Sequence, residues 1–136
     1  MTRYIALVDG KAGAYGVTFP DAPGCTAMGK TVDEALKKAV VSLAEWVSHS
    51  EAEGDGRPEA RTAEVLRDDP EVAEMLANGA AFAVVPLVLE SGRPVRANLS
   101  IDAGLLAAID DAAEAAGLTR SAFLASAARD KILARV

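Results

Sequence analysis

The sequence predicts an α+β chain of two modules: a small antiparallel sheet packed on helices, then an extended segment followed by two helices. Three observations carry this expectation. Alternating segments rich in β-branched and aromatic residues stand near the start. A capping pattern at Thr31–Glu34 then opens a long stretch with apolar residues at helical spacing. After the break Glu90-Ser91-Gly92-Arg93-Pro94 the pattern restarts with a different charge balance.

Tyr4 to Val8 and Tyr15 to Phe19 read as the arms of a β-hairpin, reversed across Asp9-Gly10-Lys11-Ala12-Gly13, where glycine permits a tight turn. Pro20-Asp21-Ala22-Pro23-Gly24 cannot pair regularly and makes a rigid turn. Cys25 to Met28 forms a short third strand, closed by Gly29. With Thr31 as N-cap and Glu34 three residues on, a helix runs from Val32 to His49. Its apolar face is Val32, Leu36, Ala39, Val40, Leu43 and Val47, and it needs a sheet to cover. Ser50 to Pro58 is a polar loop; Thr62–Leu66 and Pro70–Leu76 are two short helices, the second stopped by Asn78-Gly79. Ala81 to Leu89 is a strand whose Pro86 belongs at an edge or a bulge. This order gives an α+β sandwich with its helices on one face.

The second module, Val95 to Val136, opens with Val95, Ala97, Leu99 and Ile101 alternating with Arg96, Asn98 and Ser100. A helix follows, with Leu105, Leu106, Ile109, Ala112, Ala113 and Ala116 inward, and ends at Gly117. Thr119 caps a second helix that turns Phe123, Leu124, Ala127, Ala128 and Ile132 inward. One strand and two helices cannot satisfy their own backbone or build an adequate core. A second copy would pair strand with strand and interleave four helices. The resulting ribbon would present Arg96, Asn98 and Ser100 twice. A two-stranded ribbon fits the DNA major groove, where Arg and Asn match the edges of guanine and adenine. Thr119, Arg120 and Ser121 offer hydroxyls, a guanidinium and free N–H groups to phosphate at the start of the second helix.

Composition narrows the alternatives. The chain has 136 residues, 51% hydrophobic, with net charge −6, which argues against coating nucleic acid by bulk attraction. The charge is uneven: residues 1–90 carry eight Lys/Arg against fifteen Asp/Glu, and residues 91–136 carry six against five. Ten carboxylates lie between Glu45 and Glu74, with only Arg57, Arg61 and Arg67 among them. That run reads as a solvated face or as a face offered to a basic partner. No apolar run is long enough to span a membrane and no secretory signal precedes the first strand, so the expected address is the cytoplasm, with no membrane partner. One cysteine forms no internal disulfide, and one histidine supplies no zinc pair. Cys25 reads as a small buried hydrophobe with no neighbouring His, and His49 as a contact to the end of its helix. Asp9 and Glu90 lie at strand ends, but two carboxylates do not make a two-metal nuclease centre, and nucleophile elbows and phosphate loops are missing. The chain is therefore expected to be neither an enzyme nor a cofactor carrier.

The tail sequence RANLSIDAGLLAAIDDAAEAAGLTRSAFLASAA resembles the ribbon-helix-helix family of bacterial repressors and antitoxins, through its alternating strand, Ile109-Asp110, Gly117 and Thr119-Arg120-Ser121. Where that family usually has proline stands Asp102, a capping residue. The resemblance carries base reading to Arg96, Asn98 and Ser100. The front is similar to the N-terminal domain of HicB antitoxins, which has a reduced ribonuclease-H-like layout. Phe19-Pro20-Asp21, Pro23-Gly24-Cys25, Gly29, Thr31, Glu34, Ala35, Asp69-Pro70-Glu71 and Val85-Pro86-Leu87 carry this likeness. It implies a toxin-binding domain over residues 1–90 and a dimerising, DNA-binding domain over residues 95–136. The implied partners are a HicA-like RNA-cleaving toxin, operator double-stranded DNA and a second copy, in a dimer or a tetramer. Pro20, Asp21, Pro23, Gly24 and Cys25 are the implied toxin contacts. The alternative is a stand-alone ribbon-helix-helix repressor whose front senses a ligand or another protein.

Overall fold

The computed structural model describes residues 1–134; Arg135 and Val136, the end of the expected second module, lie outside the described residues. The chain divides into two compact units, one spanning Met1–Glu90 and one beginning at Ser91.

In the first unit the elements are β1 (Arg3–Lys11), β2 (Ala14–Thr18), β3 (Thr26–Gly29), α1 (Val32–Ala52), α2 (Ala63–Arg67), α3 (Pro70–Ala77) and β4 (Ala81–Pro86). The four strands form one antiparallel sheet in the order β3-β2-β1-β4. The hairpin ladder persists until Lys11 faces Ala14, so the reversal is confined to Ala12-Gly13, tighter than the sequence implies. Gly10 makes this possible: it sits at φ +100°, and a Cβ there would collide with the Ala14 carbonyl oxygen. β4 lies at one edge, with Pro86 at its end opposite Arg3, and the Leu87 N–H continues the pairing to the Thr2 carbonyl at 2.9 Å.

The sheet is covered on both faces, which corrects the expectation of helices on one. Alternation puts Tyr4, Ala6 and Val8 on one face of β1 and Ile5 and Leu7 on the other. Leu7 packs with Leu66 of α2 and Val72 of α3, with Ile5, Phe82, Met75 and Leu76 around them. The long helix α1 lies against β3, β2 and β4, and Tyr4, Ala6, Val8, Val17, Ala27 and Val85 are buried with it. Tyr4 to Val8 is an uninterrupted apolar run, the signature of a strand buried on both sides.

Thr31 Oγ1 accepts from the Glu34 N–H at 3.1 Å, and Glu34 Oε2 reaches back to the Lys30 N–H at 3.1 Å, so α1 starts where its capping box says. The buried stripe is Ala35, Ala39, Val40, Leu43 and Val47, centred on Ala35 rather than on Val32 and Leu36. The helix continues past His49 into the expected loop, as far as Ala52. It stops where Gly54 takes φ +86° and the Asp55 N–H returns to the Ser50 carbonyl at 3.0 Å.

In the second unit α4 (Ala103–Ala115) and α5 (Arg120–Leu133) form a helical hairpin. Asp102 caps α4 by accepting from the Leu105 N–H at 3.0 Å. The pair covers little of itself. Only Ile109 and Ala113 are buried, and α5 has no fully buried residue; Phe123, Leu124 and Ile132 are half-buried, whereas Ala127 and Ala128 are exposed. Residues 95–101 form no strand in the single chain, and Val95 and Leu99 stand in solvent. A strand exists only as a member of a ladder, and among the described residues this unit contains no second extended segment. No helix among the described residues is long and apolar enough to cross a membrane.

Candidate functional site

Two regions hold the residues singled out by the sequence. The first is the turn between β2 and β3. Phe19, Ala22 and Cys25 are buried at three-residue intervals. The Ala22 N–H donates to the Phe19 carbonyl at 3.2 Å and the Cys25 N–H to the Ala22 carbonyl at 3.0 Å, so successive tight turns point each third side chain inward. Trp46 of α1 pins the outer corner, its Nε1–H donating to the Pro23 carbonyl at 3.1 Å.

Asp21 belongs to the inside of this turn. Its side chain is 3% exposed and accepts from Arg61 twice, from the backbone N–H at 2.9 Å and from Nε at 2.6 Å. Arg61 Nη1 also reaches Asp69 Oδ2 at 3.3 Å. Asp69 is the N-cap of α3 and accepts from the Glu71 N–H at 3.0 Å. Burial works against the Asp69 charge, but the Glu71 N–H, Arg61 and the Val72 N–H outweigh it and hold the carboxyl below its ordinary range. Arg61 thus ties together the turn, the segment leading into α2 and the start of α3. In the sequence Arg61 is one of three arginines among ten carboxylates, and that scarcity is the available signal.

Cys25 is also buried, and burial pushes its thiol up to about 11, which keeps it protonated and unreactive. Of the five residues assigned to partner contact, Asp21 and Cys25 therefore turn their side chains inward, Pro20 is half-buried, and Pro23 and Gly24 are exposed. The other two arginines of the acidic run are engaged too: Arg57 pairs with Glu51, and Arg67 lies over the Phe82 ring, 5.5 Å from its centre. The exposed carboxylates Glu53, Asp55, Glu59, Glu64, Asp68, Glu71 and Glu74 dominate the surface charge of this stretch. Asp9 lies on β1 opposite Gly16, and among the described residues no three of His, Cys, Asp and Glu converge on one point.

The second region is the tail. Arg96, Asn98 and Ser100 are exposed on the unpaired segment. At the start of α5, Thr119 Oγ1 accepts from the Ala122 N–H at 3.1 Å and its carbonyl from the Phe123 N–H at 2.9 Å. The N–H groups of Arg120 and Ser121 come first in the helix and lie ahead of these bonds. Arg120, the expected phosphate ligand, is turned toward α4. Its Nε and Nη2 donate to the two oxygens of Asp110, each at 2.8 Å, and this pairing holds the Asp110 carboxyl below its ordinary range.

A family model described as the HicB-like antitoxin of bacterial toxin–antitoxin systems matches residues 4–128. Among solved structures, the antitoxin HicB of Burkholderia pseudomallei is 33% identical over 97% of this chain and 99% of that one, with a TM-score of 0.55. Antitoxin HicB3 is 28% identical over 96% of this chain and 98% of that one, with a TM-score of 0.53. A chain from the HicA3 and HicB3 toxin–antitoxin complex, 23% identical over 64% of this chain and 99% of its own length, shares the fold with a TM-score of 0.52. No curated protein matches.

Proposed function

The chain belongs to the HicB-like antitoxin family of bacterial toxin–antitoxin systems, and from that premise we propose that its front unit occludes a small basic RNA-cleaving toxin of the HicA class while its tail, paired with a second copy, binds operator DNA. The observation that carries this reading is a family match running through both units, from residue 4 to residue 128. A protein that cleaves RNA must hold a polyanion, and the acidic front is complementary to such a surface. Inhibition by occlusion requires no chemistry from the antitoxin. In the tail, the incompletely covered faces of α4 and α5 and the exposed Val95 and Leu99 are what a two-fold partner would bury as a ribbon-helix-helix. Arg96, Asn98 and Ser100 then face the major groove, and the first-turn N–H groups with the Thr119 and Ser121 hydroxyls face phosphate.

Co-expression with a small basic RNA-cleaving toxin of the HicA class tests the first half. The toxin should co-purify with the full chain and with residues 1–90 alone, and a toxin retained only when the tail is present would count against a self-sufficient front unit. Footprinting on the promoter upstream of its own gene tests the second half. Arg96→Ala or Asn98→Ala should weaken the specific site by about 1–3 kcal/mol per contact and relax base preference. Wild-type protection by both variants would remove this strand face as the reader.

A further inference from the structure

We propose that Arg120 serves DNA binding as a positioning residue, clamped to Asp110, and not as a phosphate ligand. This deepens the operator-binding reading and rests on it. Arg120 opens α5 and Asp110 lies in α4, with the Gly117 turn between them. The contact is bidentate, two bonds of 2.8 Å, so one edge of the guanidinium is matched to the whole carboxylate. It lies beside Ile109, one of only two buried residues among the described residues of the unit. An interface that buries so little has few directional restraints, and this fork, whose side chains are 54% and 43% exposed, adds one between the first turn of α5 and α4.

The same pairing removes Arg120 from the phosphate electrostatics. Guanidinium and carboxylate sum to zero, and a phosphate approaching the remaining N–H groups also meets the negative charge of Asp110. The anion site at the start of α5 is then built from the backbone N–H groups and the two hydroxyls, held in place by the clamp. Arg120 differs in this from Arg96, which is exposed on the segment assigned to the groove.

The test uses the full chain and a duplex carrying the promoter upstream of its own gene, titrated over a range of KCl concentrations. Arg120→Ala and Asp110→Ala should each weaken binding by a similar factor, on the order of threefold to thirtyfold. The double variant should be no worse than either single one. The slope of log affinity against log salt should stay at the wild-type value in all three. The exchanged pair, Asp110→Arg with Arg120→Asp, should restore affinity because it rebuilds the clamp. A phosphate-ligand role predicts the opposite signs. Asp110→Ala would then tighten binding, Arg120→Ala would flatten the slope by about two per dimer at roughly 0.9 per phosphate contact, and the exchanged pair would stay defective. Any of those three results overturns the proposal. Thermal melts without DNA separate the two levels: if wild type shows no salt-dependent binding, the operator reading falls and takes this role with it, even where Asp110→Ala and Arg120→Ala lower the melting temperature equally.

Discussion

Asp21→Ala is the most informative single change in the front unit, because it asks whether the turn after β2 is held from within. The Asp21 side chain is 3% exposed and accepts two hydrogen bonds from Arg61. Bonds to a charged partner contribute about 1.5–3 kcal/mol each. The guanidinium bond counts for less than that, because the Arg61 side chain is one-third exposed and keeps Asp69 at 3.3 Å. Truncation also leaves the Arg61 backbone N–H without its acceptor. Together these give a loss of about 2–4 kcal/mol for Asp21→Ala and about 1–2 kcal/mol for Asp21→Asn, which preserves one acceptor oxygen. Urea unfolding followed by Trp46 emission is the assay, since Trp46 is the only tryptophan and its indole is bonded to the Pro23 carbonyl of the same turn. The midpoint should fall with an unchanged slope. A shift within about 0.5 kcal/mol of wild type, the range of ordinary surface substitutions, would show that the turn does not depend on this lock.

Three further outcomes follow from the packing. Leu66→Ala, at a fully buried position against Leu7 and Val72, should cost about 2–5 kcal/mol in the same urea experiment; a negligible loss would mean that α2 does not cover the sheet. Gly29→Ala would place a Cβ 2.5 Å from the Ala35 nitrogen and 2.9 Å from its Cα, so the strand and α1 must separate at a cost of about 1–3 kcal/mol; unchanged stability would mean the helix lies farther from β3. Cys25 should resist alkylation at neutral pH in the folded chain and react on unfolding, and rapid labelling of native protein would contradict its burial. Because burial raises the folded-state pKa of this thiol to about 11 from an ordinary value of 9.0, its contribution to stability is complete below the ordinary value. That contribution is lost as the pH climbs from 9 toward 11.

The elements of the front unit were legible because their signals are local. A capping box, alternation and Gly punctuation each act within a few residues, and Thr31, Glu34 and Asn78-Gly79 do in the structure what their positions imply. The second covered face was also written in the sequence, in the unbroken apolar run from Tyr4 to Val8, but it has to be read as burial on both sides rather than as hairpin alternation. The site was less legible, since side-chain partners forty residues apart leave no spacing to read. Nothing near Asp21 points to Arg61, and nothing near Arg120 distinguishes a carboxylate partner in α4 from a phosphate. In the tail, the alternation of Val95 to Ile101 is a pattern without a ladder, so the single chain leaves it unpaired.

The two ends of the chain treat exposed backbone in opposite ways. In the front sheet one edge strand, β3, is four residues long and the other, β4, ends on a proline that has no N–H to offer. Another molecule finds little to zip onto there, which guards a concentrated solution against stacked, misjoined sheets. The tail has no such guard: seven consecutive residues from Val95 to Ile101 contain no proline or glycine and form no strand of their own. Crowded or partly unfolded chains should therefore misassemble through the tail before the front. A seeded aggregation assay comparing Leu99→Lys with wild type would register this as a longer lag, at a segment that the single chain leaves open to strand addition.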